Sequence, residues 1–242
     1  MRPDAARKYS RARLTLESYG GRASVQPELV HAQGEERAPI QLRLKRALDI
    51  GGALALLLLC LPVIGLIALI VAAGGRPVFY APGRVGRNGR MFRCLKFRTM
   101  VPDAERVLAT LLETDPRARL EWERSCKLVD DPRVTRVGRF LRATSLDELP
   151  QLFNVLLGQM SLVGPRPVPP DELHERYREN ARYYLRVRPG LTGPWQISGR
   201  SDMPYEDRVT LDVAYAKAPS LLADIRILAR TVPAVLLRRG AR

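Results

Sequence analysis

IGGALALLLLCLPVIGLIALIVAA, residues 50 to 73, carries no charged side chain. Its 24 residues at 1.5 Å rise make about 36 Å of helix, enough to cross the roughly 30 Å of hydrocarbon in a bilayer. Length alone therefore reads as a transmembrane helix. Two features argue for another path. Pro62 stands in the middle of the run, where its ring removes a backbone hydrogen bond and bends the helix, leaving two halves of about 18 Å, each the depth of one leaflet. Arg43, Lys45 and Arg46 precede the run, and Arg76, Arg84, Arg87 and Arg90 follow it. Cations flanking a membrane segment stay in the cytoplasm, so both ends are expected there. A helix that enters, turns at Pro62 and returns satisfies both features; a straight span with a tolerated proline is the other reading.

On either side of the run the composition changes. Residues 1 to 41 are polar and basic, with Arg2, Arg7, Lys8, Arg11 and Arg13, and show no helical or strand period. They read as a tail lying on lipid, and not as a signal peptide, because the apolar run starts too late and no small-residue cleavage site follows it. The expected organisation is this tail, a re-entrant membrane helix over 42 to 75, and a cytoplasmic domain over 76 to 242. At 46% hydrophobic residues, the chain can bury a core. Its formal net charge of +15 calls for an anionic partner: nucleic acid, lipid head groups or a phosphorylated substrate. Nucleic acid is set aside, since aromatic residues make up only 6%, the charge is dispersed and no reading motif is present. Cys60, Cys94 and Cys126 lack metal or disulfide spacing, and His31 and His174 are too few for a histidine metal site.

Downstream of the run, Met91 to Met100 alternates as a strand would, with Cys94, Lys96 and Arg98 on one face and Leu95, Phe97 and Thr99 on the other. Two cations on one strand face suit a phosphate; a solvated edge strand is the alternative. Asp103 to Glu113 and Pro116 to Cys126 read as short polar helices, ended by Asp130-Asp131-Pro132. Ser145-Leu146-Asp147-Glu148 fits a capping box, followed by Leu149, Leu152, Phe153 and Leu156 at helical spacing and Gly158 as a stop. An acidic pair in a first turn can be no more than a cap. The chain around it points further. Pro165 and Pro167 stiffen the turn that presents Arg166, which suits phosphate recognition, and Arg188 to Arg200 is a glycine-dense stretch where backbone can approach a ligand. Leu221, Leu222, Ile225, Leu228 and Val232 then share one helix face near the C-terminus, suited to a membrane interface or to the domain core.

Several separated blocks, in order, carry a resemblance: KRALDI at 45 to 50, RPVFYAPGRVGRNGRMFRCLKFRTM at 76 to 100, RATSLDELPQLFNVLLGQMSLVGPRP at 142 to 167, RPGLTGPWQISGR at 188 to 200, LDVAYAK at 211 to 217 and LLADIRIL at 221 to 228. Together they resemble the bacterial sugar transferase family of monotopic phosphoglycosyl transferases. The resemblance implies a mainly helical α/β-type membrane protein that moves a sugar 1-phosphate from a UDP-sugar to undecaprenyl phosphate and releases UMP. By the same resemblance Asp147 is the nucleophile and Glu148, with Asp147, holds Mg²⁺. Lys96, Arg98, Arg142, Arg166 and Arg200 become phosphate or nucleotide contacts, with Asp224 supporting them. The implied setting is the cytoplasmic face of the bacterial inner membrane, among its lipids; oligomeric state stays open. One departure is Leu61 before Pro62, where the family often has serine. A membrane-tethered nucleic-acid binder and an inactive scaffold are the rival readings.

Overall fold

The structure, a computed structural model, describes residues 39–125, 128, 130–198 and 203–236. The basic tail before residue 39 and Arg200 lie outside these residues. The apolar run forms part of one helix, α1 (Pro39–Ala73), which stays helical on both sides of an exposed Pro62. Lys45, Asp49, Ala53, Leu57, Ile64, Ile67 and Val71 are its buried positions. They recur at intervals of three, four or seven, the spacing of a single face of a 3.6-residue helix. The other faces stay exposed and apolar: Leu58, Leu59, Leu61, Leu66 and Leu69 are each more than half accessible. Among the described residues α1 alone is long and apolar enough to cross a membrane. A surface of this kind is suited to lipid.

Both ends of α1 are tied to the body that follows it. Near its start, Arg46 donates from Nη1 and Nη2 to the carbonyls of Val155 (2.6 Å) and Leu156 (2.8 Å). At its other end, Arg98 Nη2 donates to the carbonyls of Val71, Gly74 and Gly75, and Nη1 to that of Arg76. A helix leaves its last four carbonyls without intrahelical partners, and this guanidinium supplies donors there. Between these ties lies a buried ionic knot. Lys45 Nζ sits 3.1 Å from Asp49 Oδ1 and 3.3 Å from Asp224 Oδ2. Asp49 also accepts from Ser161 Oγ and the Leu162 amide, and Asp224 accepts from Tyr215 Oη at 2.6 Å.

The body begins with two small antiparallel sheets. β1 (Phe79–Tyr80) pairs with β4 (Lys96–Phe97), and β2 (Gly83–Val85) with β3 (Met91–Arg93). The single alternating strand expected over Met91 to Met100 is thus two strands in two sheets. The chain breaks between them because the Cys94 amide turns to Pro82 O and the Leu95 amide to Asn154 Oδ1. That slip puts Cys94 in the core with Phe92, while Phe97 and Thr99 take over the buried phase afterwards. Cys94 therefore does not share a face with Lys96 and Arg98.

The expected polar helices follow as α2 (Ala104–Thr114) and α3 (Pro116–Ser125). Next come α4 (Arg136–Thr144), a 3-10 turn (Leu146–Glu148) and α5 (Gln151–Leu156). β5 (Ser161–Val163) pairs in parallel with β6 (Gly190–Thr192). Gly164, Gly190 and Gly193 meet there: a side chain on any one would run into the backbone of the others' segments. The close approach expected of this glycine-dense stretch is made between two pieces of the chain's own backbone.

Short turns α6 (Pro170–Glu172) and α7 (Ala181–Tyr184), then α8 (Pro194–Ser198), α9 (Tyr205–Lys217) and α10 (Leu221–Leu236), complete the body. Two cores result. The larger joins the α1 stripe to Phe92, Phe97, Leu141, Leu152, Val155, Met160 and Ile227; the smaller gathers Val85, Leu173, Tyr177, Tyr184, Val209 and Val213. On α10 the expected apolar face divides. Asp224 and Ile227 are buried, Leu228 packs at the edge, and Leu222, Ile225 and Val232 remain exposed.

Replacing Lys45 with Met leaves Asp49 and Asp224 buried without their cation. We expect a loss of about 3–5 kcal/mol, the usual cost of breaking a buried ion pair from one side, read as a lowered denaturation midpoint in detergent.

Candidate active site

Three segments bring the candidate residues together. Lys96 comes from β4, and Thr99 follows on the same segment. α4 then packs on that segment: the Thr135 amide donates to Thr99 O at 3.0 Å, and Thr135 Oγ1 caps the helix by accepting from the Gly138 amide at 2.8 Å. Gly138 is required here, since a Cβ would collide with the Thr99 carbonyl. This packing delivers Arg142, whose Nε donates to Thr99 Oγ1 at 2.9 Å. α4 ends at Ser145 in a left-handed conformation (φ 57°, ψ 16°), and the chain turns directly into the 3-10 turn that carries the two acids.

The expected capping box does not form. Ser145 makes no side-chain cap, and Glu148 reaches across to Lys96, with Nζ 2.6 Å from Oε1. The left-handed serine spends its backbone on turning between two helices, so its hydroxyl is not aimed at the next turn. In a 3-10 turn, consecutive side chains point about 120° apart. Asp147 accordingly faces inward, 8% exposed, while Glu148 faces the edge and pairs with Lys96. Asp147 has no ion pair within 4 Å among the described residues. Burial pushes its carboxyl up to about 6, against the pull of Lys96 and Arg142, while neighbouring Glu148 raises it further. The two adjacent acids are thus differentiated: one exposed enough to pair with a cation, one buried and unpaired.

Beyond them lies a second group of cations. The Cys94 thiol is pushed up to about 11 by burial, and it also feels Lys96, Glu148, Arg84 and Arg166. Arg166 stacks over the ring of Trp195, 5.3 Å from its centroid, and Arg208 stands over the same ring at 5.0 Å. Asp212, 1% exposed, accepts from Tyr177 Oη at 2.7 Å. Burial raises its carboxyl to about 6 against the pull of the Tyr177 hydroxyl, Arg208 and the Arg166 backbone. The stiff Arg166 turn is held from behind by an aromatic ring and a buried acid.

Of the residues singled out in the sequence, Lys96, Arg142, Asp147 and Glu148 come together, and the charge of Arg166 acts with those of Lys96 and Glu148 on the buried Cys94 thiol. Arg98 does not join them: its guanidinium is occupied at the end of α1. Asp224 lies in the Lys45 knot and supports the membrane helix. Arg200 falls outside the described residues, and Pro62 is exposed on α1. Arg84, Thr99, Trp195 and Asp212 went unnoticed as site residues, because each acquires its place only through packing. Lys45 and Asp49 did leave a signal, an i,i+4 pair of opposite charge at the border of an apolar run. Among the described residues no group of three or more His, Cys, Asp or Glu side chains converges. The Asp147–Glu148 pair is nonetheless a donor set that suits magnesium, which binds through one or two carboxylates together with substrate phosphates.

The chain belongs to the bacterial sugar transferase family, whose model matches residues 40–238. Among its relatives is the undecaprenyl-phosphate galactose phosphotransferase of Salmonella typhimurium, 52% identical over 82% of this chain and 41% of that protein. The UDP-galactose-lipid carrier transferase of Erwinia amylovora is likewise 52% identical, over 82% of this chain and 41% of its own length. This chain thus spans about two-fifths of those relatives. The exopolysaccharide production protein ExoY of Rhizobium meliloti is 51% identical over 84% of this chain and 90% of its own.

The raised Asp147 carboxyl has a consequence for stability. A group whose folded pKa lies above its unfolded value contributes stability at low pH and loses it as pH rises, here from about 4 to about 6. At pH 8 the ionised, buried Asp147 is a liability, so Asp147→Asn should stabilise the fold by something on the order of 1–3 kcal/mol. The gain should shrink towards zero at pH 4, as measured by denaturant titration at both values.

Proposed function

We propose that this protein transfers a sugar 1-phosphate from a UDP-sugar to undecaprenyl phosphate at the cytoplasmic face of the bacterial inner membrane, through a covalent phospho-sugar on Asp147. The observation that carries this reading is the buried, unpaired Asp147 beside the Lys96–Glu148 pair and Arg142, on a body tied to both ends of an apolar helix. The Salmonella relative is named for undecaprenyl phosphate and the Erwinia relative for UDP-galactose, which supports the acceptor and the donor class.

In the first half-reaction a carboxylate oxygen of Asp147 forms a bond to the β-phosphorus of the UDP-sugar. The bond from that phosphorus to the bridging oxygen breaks, and UMP leaves with the electron pair. In the second, an oxygen of the lipid phosphate attacks the same phosphorus, the aspartyl oxygen–phosphorus bond breaks, and the carboxylate is regenerated. Lys96 and Arg142 lower the repulsion between the incoming carboxylate and the phosphate oxygens. The raised pKa of Asp147 leaves it ionised at neutral pH yet more basic than an ordinary aspartate, which favours nucleophilic attack. Glu148 and Asp147 would hold magnesium, which when bound supplies further charge neutralisation for the diphosphate. Arg166, backed by Trp195, stands ready to orient phosphate or nucleotide.

A re-entrant path for α1 belongs to the same proposal. Arg46 ties the start of the helix to α5, and Arg98 ties its end to the segment after β4. One body holding both ends supports a membrane insertion that returns to its side of entry. Cysteines introduced at Arg43 and Asn88, in a background without other cysteines, should react with an impermeant thiol reagent only after cells are opened. Labelling at residue 43 in intact spheroplasts would instead mean a spanning helix.

The reaction itself is tested by mixing enzyme, Mg²⁺ and a UDP-sugar without lipid acceptor. A burst of UMP, at most about one per active site, is expected, and Asp147→Asn should abolish both burst and adduct. Release of UDP would overturn the reaction class.

A further inference from the structure

Three guanidiniums that the proposed reaction does not use collect at the far end of α5. Arg46, on α1, spends Nη1 and Nη2 on the Val155 and Leu156 carbonyls. Arg188, just before β6, donates from Nε to Gly158 O at 2.7 Å. Arg87, in the turn between β2 and β3, has a buried Nε with no hydrogen-bond partner. The Asn88 amide donates to Leu185 O at 2.8 Å, which ties the turn carrying Arg87 to the segment that leads into Arg188, and Arg46 lies against Gly158, whose carbonyl Arg188 binds. Burial depresses the Arg188 pKa, and the charges of Arg46 and Arg87 depress it further. Asp49 is the one acid felt there, and it is already engaged by Lys45, Ser161 and Leu162. None of the three has a carboxylate within 4 Å among the described residues.

Three half-buried cations without a counter-charge repel one another, and the arrangement is relieved by an anion. The protein leaves donors for one: the terminal nitrogens of Arg188 and the guanidinium of Arg87 make no hydrogen bond within the described residues. Planar guanidiniums at this density match the oxygens of a phosphate. The place is also informative. Arg46 precedes Ile50, where the uncharged run begins, by four residues, or about 6 Å of helix. With the run in hydrocarbon, the cluster stands at head-group depth. It is distinct from the acid pair, since Asp147 lies before the start of α5 and Gly158 beyond its end, and none of the three arginines is among the groups that perturb Asp147.

We propose that Arg46, Arg87 and Arg188 form a binding site for the phosphate of an anionic phospholipid head group. A free phosphate has the same chemistry; the depth of the cluster favours the lipid. The site stands whether or not the sugar-phosphate reaction is correct.

The test uses the full chain purified in neutral detergent, offered equal amounts of phosphatidylglycerol and phosphatidylcholine and examined by native mass spectrometry. One phosphatidylglycerol per chain should be retained in preference to phosphatidylcholine. Arg87→Gln should weaken retention about tenfold, the effect of losing one charge-assisted contact. Arg188→Gln should do the same, but Arg188 also caps α5, so Arg87→Gln is the deciding variant. Arg117→Gln, exposed on α3, removes the same charge and should leave retention unchanged. Nucleotide release from a UDP-sugar by the Arg87 variant should equal that of the parent chain. Equal retention of both lipids, unaltered retention by Arg87→Gln, displacement by millimolar inorganic phosphate, or loss of nucleotide release in that variant would each overturn the proposal.

Discussion

Lys45 is buried between two carboxylates at the edge of an apolar helix, and the position of everything else follows from its pairing. A charge removed from water is tolerated only when its partners are fixed. Here Ser161 and Leu162 on β5 and Tyr215 on α9 fix those partners from two different parts of the body. The helix can therefore take only one rotation about its axis. Any other would leave an ammonium or a carboxylate buried alone, and this rotation is the one that turns Ala53, Leu57, Ile64, Ile67 and Val71 towards Phe92, Phe97 and Leu152. Specificity comes from the ionic knot, and the burial energy from the stripe that it aligns.

The same division between polar positioning and apolar support recurs at the acid pair. Asp147 and Glu148 are neighbours in sequence, yet a tight turn entered through a left-handed serine sends them into different surroundings. One loses water and gains basicity; the other keeps an edge position and a lysine. A regular α-helical start, with Ser145 as its cap, would have left both acids on the solvent side of a first turn. The irregular backbone between α4 and α5 is what makes the two acids chemically unlike.

Much of this was legible in advance. The length of the apolar run, the two polar helices after it, the stop at Gly158 and the grouping of Lys96, Arg142, Asp147 and Glu148 all follow from local patterns or from the block resemblance. What failed did so where tertiary contacts overrule local pattern. Arg98 looked like a phosphate ligand because alternation placed it beside Lys96, but the strand breaks at Cys94–Leu95 and the guanidinium goes to open carbonyls instead. Asp224 looked like a distant helper of the site and turned out to be the counter-ion of a residue 179 positions earlier, a pairing invisible to any window. The glycines around residue 190 were read as a place where backbone could approach a ligand, and the structure shows them meeting the Gly164 backbone, an encounter that sequence does not announce because it does not say which backbone arrives.

The stripe on α1 gives the membrane segment a second role. Five of its apolar side chains belong to the larger core of the body, so the helix is not a detachable tether on a self-sufficient domain. Cutting it away to obtain a water-soluble version would strip one wall from that core, uncovering Phe92, Phe97, Leu152 and Val155 and leaving Asp224 buried without Lys45. The protein is better regarded as a body assembled around its own lipid-embedded element, and its production outside a membrane or detergent is a problem of folding before it is one of solubility.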